Sequence, residues 1–239
     1  MATQNNSRVI AIGDIHGCSI ALTTLLDAIQ PDQKDHVIPL GDVIDYGPDS
    51  RGVLTQLMAL RDRTQLTLLT GNHEDMLFNV LDRQWDPESW TRHGGDQTLA
   101  SYGVDHPRDL PAECVAFLRA ATSHLETNTH ALVHAGYYPN LPLAETPSSA
   151  RFWEALEPGR CWPHFSGKTF VVGHTPQTTG QILDLGFVVC IDTDCSRGNW
   201  LSALDVTTGK YWQASQRGEL RDGKLEHRMP GRTFRKGDS

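Results

Sequence analysis

The chain has 239 residues, of which 38% are hydrophobic, which is enough for one substantial core and favours a single domain. Its formal net charge of -8 argues against a protein that coats nucleic acid, because such proteins usually carry a basic balance. The five cysteines form no CxxC pair, and the sequence shows neither a secretory leader nor an apolar stretch long enough to span a membrane. We therefore expect a cytoplasmic protein with no membrane or nucleic-acid partner.

Six short apolar runs, often rich in β-branched residues, lead into Asp, Asn or His. Such runs are typical of buried strands, and ligands of α/β sheets bind beyond the carboxyl ends of the strands. The polar residues after these runs are therefore expected on one rim of an α/β fold. The runs lie at 8–16, 36–45, 66–74, 130–136, 169–174 and 187–194.

Helical periodicity fills the gaps between these strands. Apolar residues recur at helical spacing after Ser19 until Pro31, again after Ser50, and again over 73–81. Two further strands start near Leu201 and Lys210, with a turn at 208–209 that predicts a hairpin.

Two segments lack this regular pattern. Residues 85–125 mix aromatic residues and glycines between two ligand-bearing strands, which predicts a cap-like insertion over the site, with a surface insertion as the alternative. The domain is expected to cover 1–216. Residues 217–239 are polar and have no periodic apolar face, so we expect a loosely ordered tail.

The polar residues at the strand ends form a set with mixed oxygen and nitrogen donors, which suits manganese, iron or zinc better than calcium. Six ligands exceed what one catalytic ion needs, so the set predicts two divalent ions with a bridging carboxylate. Asp42 is the natural bridge, because it lies between the two groups in chain order. The first ion would be held by Asp14, His16 and Asp42, and the second by Asp42, Asn72, His134 and His174.

Five blocks of this sequence resemble the calcineurin-like metallophosphoesterases, and in particular the bacterial and phage branch of the phosphoprotein phosphatase family. The blocks are GDIHG at 13–17, GDVID at 41–45, GNHE at 71–74, VHAG at 133–136 and GH at 173–174. The resemblance implies a four-layer α/β/β/α sandwich of two mixed sheets flanked by helices. It also implies a dinuclear centre that is usually active with manganese, whose bridging hydroxide attacks phosphorus directly.

The same resemblance implies which residue is the general acid, and it shows where this sequence differs from the family pattern. It implies that His73 is the general acid and that Asp45 orients its imidazole. The family normally has Arg after that Asp and often Arg before the GNHE block, whereas this chain has Tyr46 and Thr70. Compensating phosphate contacts are expected from Arg92 first, and also from Arg51 and Tyr46, with Arg151 and Arg197 as further candidates.

The leading functional hypothesis is a phosphomonoesterase similar to serine/threonine-protein phosphatases, acting on phosphoprotein or a small phosphate ester. Without these arginines the site has less fixed positive charge and should bind a dianionic monoester less tightly. A symmetrical dinucleoside polyphosphatase and a phosphodiesterase are therefore alternatives. Retention of Asp45 speaks against the polyphosphatase, because that position is commonly not acidic in those enzymes. A non-catalytic metal-binding scaffold is the alternative from another class, and the oligomeric state is left open.

Overall fold

The fold is formed by eleven strands and seven α-helices in a computed structural model that describes residues 7–226. The strands are β1 (Val9–Ile12), β2 (His36–Pro39), β3 (Gln65–Leu66), β4 (His124–Glu126), β5 (His130–Val133), β6 (Thr169–Val172), β7 (Leu183–Asp184), β8 (Val188–Cys190), β9 (Trp200–Asp205), β10 (Lys210–Ser215) and β11 (Leu220–Lys224). The helices are α1 (Ser19–Ile29), α2 (Ser50–Arg61), α3 (Asn72–Leu81), α4 (Pro87–Trp90), α5 (Asp96–Tyr102), α6 (Ala112–Arg119) and α7 (Ser148–Trp153).

Two mixed sheets form the centre of the fold. The first has the strand order β11-β10-β9-β1-β2-β3, in which β1, β2 and β3 are parallel and the other pairs are antiparallel. The second has the order β4-β5-β6-β8-β7, with a parallel centre of β5, β6 and β8. The parallel strands of both sheets therefore end near the polar residues that the sequence places after them.

Side chains of each strand point alternately to the two faces of its sheet, which produces three apolar layers. In β1, Ile10 and Ile12 face the helices, whereas Ala11 faces the second sheet, as expected for side chains that point to opposite faces. The layer between the sheets contains Ala11, Ile38, Leu40, Leu69, Leu132, Val171, Val189, Ile191, Leu204 and Val206. Both sheets are thus covered on two faces, which explains why their strands read as nearly continuous apolar runs.

The two outer layers differ in thickness. Helices α1, α2 and α3 bury Leu25, Leu57 and Leu77 against the first sheet. The outer face of the second sheet packs against Leu143 and is flanked by the six-residue α7, because the chain around 141–163 has no long amphipathic stretch. The expected sandwich of two mixed sheets flanked by helices is confirmed, with one thin outer layer.

The segment predicted as a cap contributes to the main core. Helices α4, α5 and α6 lie in this segment, and their residues Trp90, Leu99 and Phe117 belong to the apolar layer outside the first sheet. Between α4 and α5 the chain kinks at Gly94, which has φ +93°. This kink brings the segment against the candidate site described below.

The predicted loose tail is wrong for residues 217–226. After a turn at Gly218, strand β11 pairs in antiparallel register with β10, from Leu220 opposite Ala214 to Lys224 opposite Lys210. An edge strand needs backbone hydrogen bonds and only a weak apolar face, so the polar composition concealed it. Residues 227–239 lie outside the described part of the chain. Within residues 7–226, no helix has the length and apolarity needed to cross a membrane.

Candidate metal centre

The candidate ligands lie where strands of the two sheets end. Asp14 and His16 follow β1, and Asp42 follows β2, whereas His134 and His174 follow β5 and β6 of the other sheet. Asn72 is the first residue of α3. All but one of these six residues line a single depression of about 180 Å³, and the sixth, His134, is completely buried next to it. The predicted convergence on one rim is what the structure shows.

Glycines beside the ligands allow the loops of this rim to approach closely. A Cβ atom on Gly71 would lie 2.1 Å from Oδ1 of Asp42, and one on Gly173 would lie 2.1 Å from Oδ1 of Asp14. Gly41 has φ +106°, and its Cβ would lie 2.5 Å from the backbone nitrogen of Gly71. Any side chain at these positions would push a carboxylate or a neighbouring loop out of place.

Backbone carbonyls fix the proton position of the three candidate imidazole ligands. Nδ1 of His16 donates to the carbonyl of Ile44 at 2.9 Å, and Nδ1 of His134 donates to that of Leu40 at 2.9 Å. Nε2 of His174 donates to the carbonyl of Trp153 at 3.0 Å. In the neutral form of each ring the other nitrogen carries a lone pair, as a metal ligand requires.

These lone pairs face other acceptors. Nε2 of His134 lies 3.0 Å from Oδ1 of Asn72 and 3.4 Å from Oδ2 of Asp42. Nδ1 of His174 lies 2.9 Å from the same Asn72 oxygen. Acceptor atoms this close repel one another unless a proton or a cation lies between them. The donor set therefore fits a divalent transition-metal ion.

Asp42 is common to two groups whose ligand atoms lie within 4.8 Å of one another. One group contains His16, Asp42 and His73, and the other contains Asp42, His134 and His174. This arrangement supports Asp42 as the bridging carboxylate. Asp14 lies on the same rim, where both of its oxygens accept from the backbone N–H of His174 at 3.0 and 3.2 Å.

The electrostatics favour neutral imidazoles at two positions. Burial lowers the pKa of His16 and of His174 to about 4, so both rings can act as ligands near pH 7. Burial and the neighbouring carboxylates of Asp192 and Asp42 raise the pKa of Asp14 well above its usual range. So many carboxylates in one buried rim repel each other, and bound cations would relieve that repulsion.

Glu74 holds the two central loops together. Its carboxylate accepts the backbone N–H groups of Asp42, Val43 and Gly71 at 2.8 to 2.9 Å. These bonds fix Asp42 against the start of α3 and explain why a completely buried Glu is present there.

His73 and Asp45 form the arrangement expected of an oriented acid. Nδ1 of His73 lies 2.8 Å from Oδ2 of Asp45, and the indole of Trp90 donates to the same oxygen at 2.7 Å. The hydroxyl of Thr98 donates to the other oxygen at 2.7 Å. Burial alone would lower the pKa of His73, but the carboxylates of Asp42 and Asp45 outweigh it and raise that pKa to about 9. Two residues of the segment predicted as a cap, Trp90 and Thr98, thus hold Asp45, and no local sequence pattern predicts these contacts.

The three predicted substrate-binding residues do not come together. Tyr46 lines the depression, where its ring packs edge-on against His16 and His73. Arg92 instead pairs with Glu88 at 2.6 Å in an exposed position, and Arg51 lies exposed on α2. Among the arginines of residues 7–226, Arg197 is the one that lines the depression. Its guanidinium lies 3.7 Å from Asp194 and the side chain is 64% exposed.

Two acidic residues of this rim were not assigned a role by the sequence analysis. Asp192 and Asp194 follow β8 and line the same depression. Burial raises the pKa of Asp192 to about 7. The apolar run at 187–194 ends in these residues, and that pattern predicted their position on the rim.

The family to which this fold and this cluster of residues belong is shown by comparison with known sequences. The sequence model of the calcineurin-like phosphoesterases matches residues 7–207. The chain therefore belongs to the calcineurin-like phosphoesterase family, as the resemblance implied.

Relatives within this group carry different names. A symmetrical bis(5'-nucleosyl)-tetraphosphatase of Janthinobacterium sp. (strain Marseille) is 32% identical over 67% of this chain and 55% of its own length. Serine/threonine-protein phosphatase 1 of Salmonella typhimurium is 32% identical over 56% of this chain and 61% of its own length. The chain thus spans little more than half the length of these relatives. A cold-active protein-tyrosine phosphatase of a Shewanella species has the same fold, with a TM-score of 0.67 at 18% identity over 91% of this chain and 80% of the other.

Gly71→Ala tests the close approach at Asp42. Its backbone is extended, so alanine is conformationally acceptable, and the substitution acts through the clash with Oδ1 of Asp42. We expect manganese affinity, measured by isothermal titration calorimetry, to fall by about tenfold or more, in the range found when the support of a ligand is lost. Gly159→Ala is the matched control, because an added Cβ meets nothing within 4 Å there. Equal manganese affinity in both variants would contradict the assignment.

Proposed function

We propose that this protein is a phosphoric ester hydrolase with two divalent metal ions, manganese being the first candidate and iron or zinc the others. The observation that carries the proposal is the position of Asp42 in both imidazole-containing groups. Asp14, His16 and Asp42 would hold the first ion. Asp42, Asn72, His134 and His174 would hold the second.

The metal ions would supply a water of lowered pKa, so that hydroxide is available near neutral pH, and would polarise the phosphoryl oxygens. The protein residues around them have separate tasks. Glu74 keeps the loops of Asp42 and Gly71 at a fixed separation. His73 donates a proton to the leaving oxygen, and Asp45 holds the ring in the tautomer with hydrogen on Nδ1 when the acid is spent.

Three substrate classes are candidates within this chemistry. A phosphomonoesterase acting on phosphoprotein or a small phosphate ester is supported by the similarity to serine/threonine-protein phosphatase 1 and by the retained His73–Asp45 pair. A symmetrical dinucleoside polyphosphatase is supported equally by the similarity to the bis(5'-nucleosyl)-tetraphosphatase. A phosphodiesterase is a further candidate, because a site with little fixed positive charge does not require a dianionic substrate.

We also propose a cytoplasmic location and no nucleic-acid polymer as partner. The net charge of -8 supports the second statement. All five cysteines are free thiols, four of them buried, which is compatible with a reducing compartment.

Hydrolysis by the manganese-loaded protein tests the proposal. We expect release of phosphate from p-nitrophenyl phosphate, or of ADP from diadenosine tetraphosphate, and the faster reaction identifies the substrate class. Asp42→Asn removes the bridging charge and should lower kcat by about 100-fold or more, since metal-ion stabilisation contributes several kcal/mol. Manganese binding without turnover on either substrate would favour the scaffold instead, and full activity of Asp42→Asn would place the chemistry elsewhere.

The dependence on the leaving group tests His73. An alkyl phosphate such as glycerol phosphate needs its leaving oxygen protonated, whereas p-nitrophenolate leaves readily without a proton. His73→Asn should therefore lower kcat for the alkyl ester by about 100-fold or more, and by a clearly smaller factor for p-nitrophenyl phosphate. Asp45→Asn should show the same pattern to a lesser degree. A uniform loss on both substrates would indicate that His73 acts as a metal ligand.

The phosphate contact is assigned to Arg197 in place of the predicted Arg92. A charge-assisted hydrogen bond of about 1.5–3 kcal/mol implies that Arg197→Ala raises KM for p-nitrophenyl phosphate by about 10- to 100-fold. Arg92→Ala is the matched control and should leave KM for this substrate within about twofold, because its exposed ion pair with Glu88 contributes little. A larger effect at Arg92 than at Arg197 would restore the sequence-based assignment.

A further inference from the structure

A second depression, lined by two exposed indoles, borders the metal centre. It measures about 980 Å³ and is lined by Trp85 and Trp153 together with Met76, Asp86, Arg92 and His93. The two indole rings lie 6.4 Å apart between centroids and are tilted by 54°. Trp85 is 40% exposed and Trp153 is 38% exposed, so the adjacent indoles together present a large apolar surface to solvent. We call this surface the tryptophan depression.

Two direct contacts connect the tryptophan depression to the metal centre. On one side, the carbonyl of Trp153 accepts from Nε2 of His174, a candidate metal ligand. On the other side, the backbone N–H of Tyr46 donates to the carbonyl of Gly94, next to His93. Met76 lies one turn along α3 from Asn72 and His73, or about 6 Å along the helix axis. A molecule with its phosphate at the metals can therefore extend into this depression.

The two depressions differ in size, so they would bind different parts of a substrate. The depression at the metals measures about 180 Å³, which suits a phosphoryl group and little more. The remainder of the substrate must lie outside it, and the neighbouring tryptophan depression offers large flat apolar faces. Trp153 is held in place, because its indole N–H donates to Asp75 at 3.1 Å.

Charge discriminates between the possible occupants. Asp86 and Glu88 line the tryptophan depression beside the indoles, and Asp75 anchors Trp153. The ion pair with Arg92 offsets the charge of Glu88, so Asp86 leaves the lining with a net negative charge. These carboxylates repel an acidic peptide segment but accept hydrogen bonds from an exocyclic amino group. A nucleobase is neutral, flat and amino-bearing, and it stacks on aromatic side chains.

We propose that the tryptophan depression binds the adenine-type nucleobase of a nucleotide substrate whose phosphate lies at the metal centre. The proposal rests on the proposed phosphoesterase function and selects nucleotides as its substrate class. The base stacks on the face of Trp85 and contacts the tilted ring of Trp153 with its edge. Asp86, which lines the same depression, accepts a hydrogen bond from its amino group. A second nucleoside, in a dinucleotide, is not required for this contact.

A comparison of AMP with ribose 5-phosphate tests the proposal, since the two share the same scissile bond and differ only in the base. With manganese, we expect kcat/KM for AMP to exceed that for ribose 5-phosphate by about 5- to 150-fold, the range for stacking of one base. Trp85→Ala should reduce this ratio towards one, and Trp85→Phe should keep most of it. Because the readout is a ratio, a general loss of active protein cancels. Equal rates on the two wild-type substrates would overturn the proposal.

Trp162→Ala is the matched control. Trp162 is 66% exposed and lines a separate depression with Tyr137 and Tyr138, so its loss should leave the ratio unchanged. Loss of the ratio in Trp162→Ala and not in Trp85→Ala would move the base to that other surface and refute the assignment.

A binding measurement separates this proposal from the proposed function. Calorimetry with the methylene-bridged analogue of ADP on manganese-loaded protein reports base binding without turnover, and we expect Trp85→Ala to weaken it by the same factor as the ratio. Tryptophan-dependent binding in a protein that hydrolyses neither p-nitrophenyl phosphate nor AMP would support the base site and reject the hydrolase. Hydrolysis of p-nitrophenyl phosphate with no Trp85-dependent binding would reject the base site alone.

Discussion

The carboxylate of Asp42 is the interaction on which the rest of the site depends. It lies between imidazoles that belong to different sheets, and its Oδ1 accepts the backbone N–H of His73 at 3.0 Å. Burial alone would raise the pKa of Asp42, but the surrounding imidazoles outweigh it and hold that pKa well below its usual range. Asp42 therefore remains a carboxylate even though it is buried. An uncompensated charge in this position would be costly, so the loops around it are arranged to supply hydrogen bonds and to admit cations.

Backbone strain is concentrated at this arrangement. Eight residues other than glycine have positive φ in the described chain, and six of them lie at the site: His16, Asp42, Asp45, Tyr46, His174 and Asp194. Each such residue costs about 1–3 kcal/mol, and the cost is tolerated where surrounding structure fixes the conformation. Here the surrounding structure consists of the buried Glu74, which ties the Asp42 and Gly71 loops together, and of the rigid parallel strands that precede the loops. The scaffold therefore offsets the strain that places the ligands.

The sequence predicted those parts of the molecule that local pattern determines. Apolar runs that end in Asp or His predicted the parallel strands and the rim, because strand periodicity and strand-end geometry are local properties. The approach of Trp90 and Thr98 to Asp45 depends on how residues 85–125 fold back across the sheet, which no local pattern encodes. The same reason applies to Arg92 and Arg197: both are arginines in irregular segments, and only the long-range packing shows that Arg197 lines the depression at the candidate metal centre. Strand β11 was not predicted from the sequence, because it is held by backbone pairing with β10 and its own composition is polar.

Tyr46 connects the unusual features of this site. It stands where the family normally has a phosphate-binding Arg, and its ring lies 5.0 Å from that of His16 and 4.9 Å from that of His73, between a candidate ligand and the acid. Gly94 makes this position possible, because a Cβ there would lie 2.7 Å from the Tyr46 ring. A neutral aromatic residue thus packs against both imidazoles but gives the phosphate no fixed charge. Groups beside the metal centre must then recognise the substrate. A nucleobase stacked in the tryptophan depression would contribute the binding energy that the absent guanidinium would have contributed by charge.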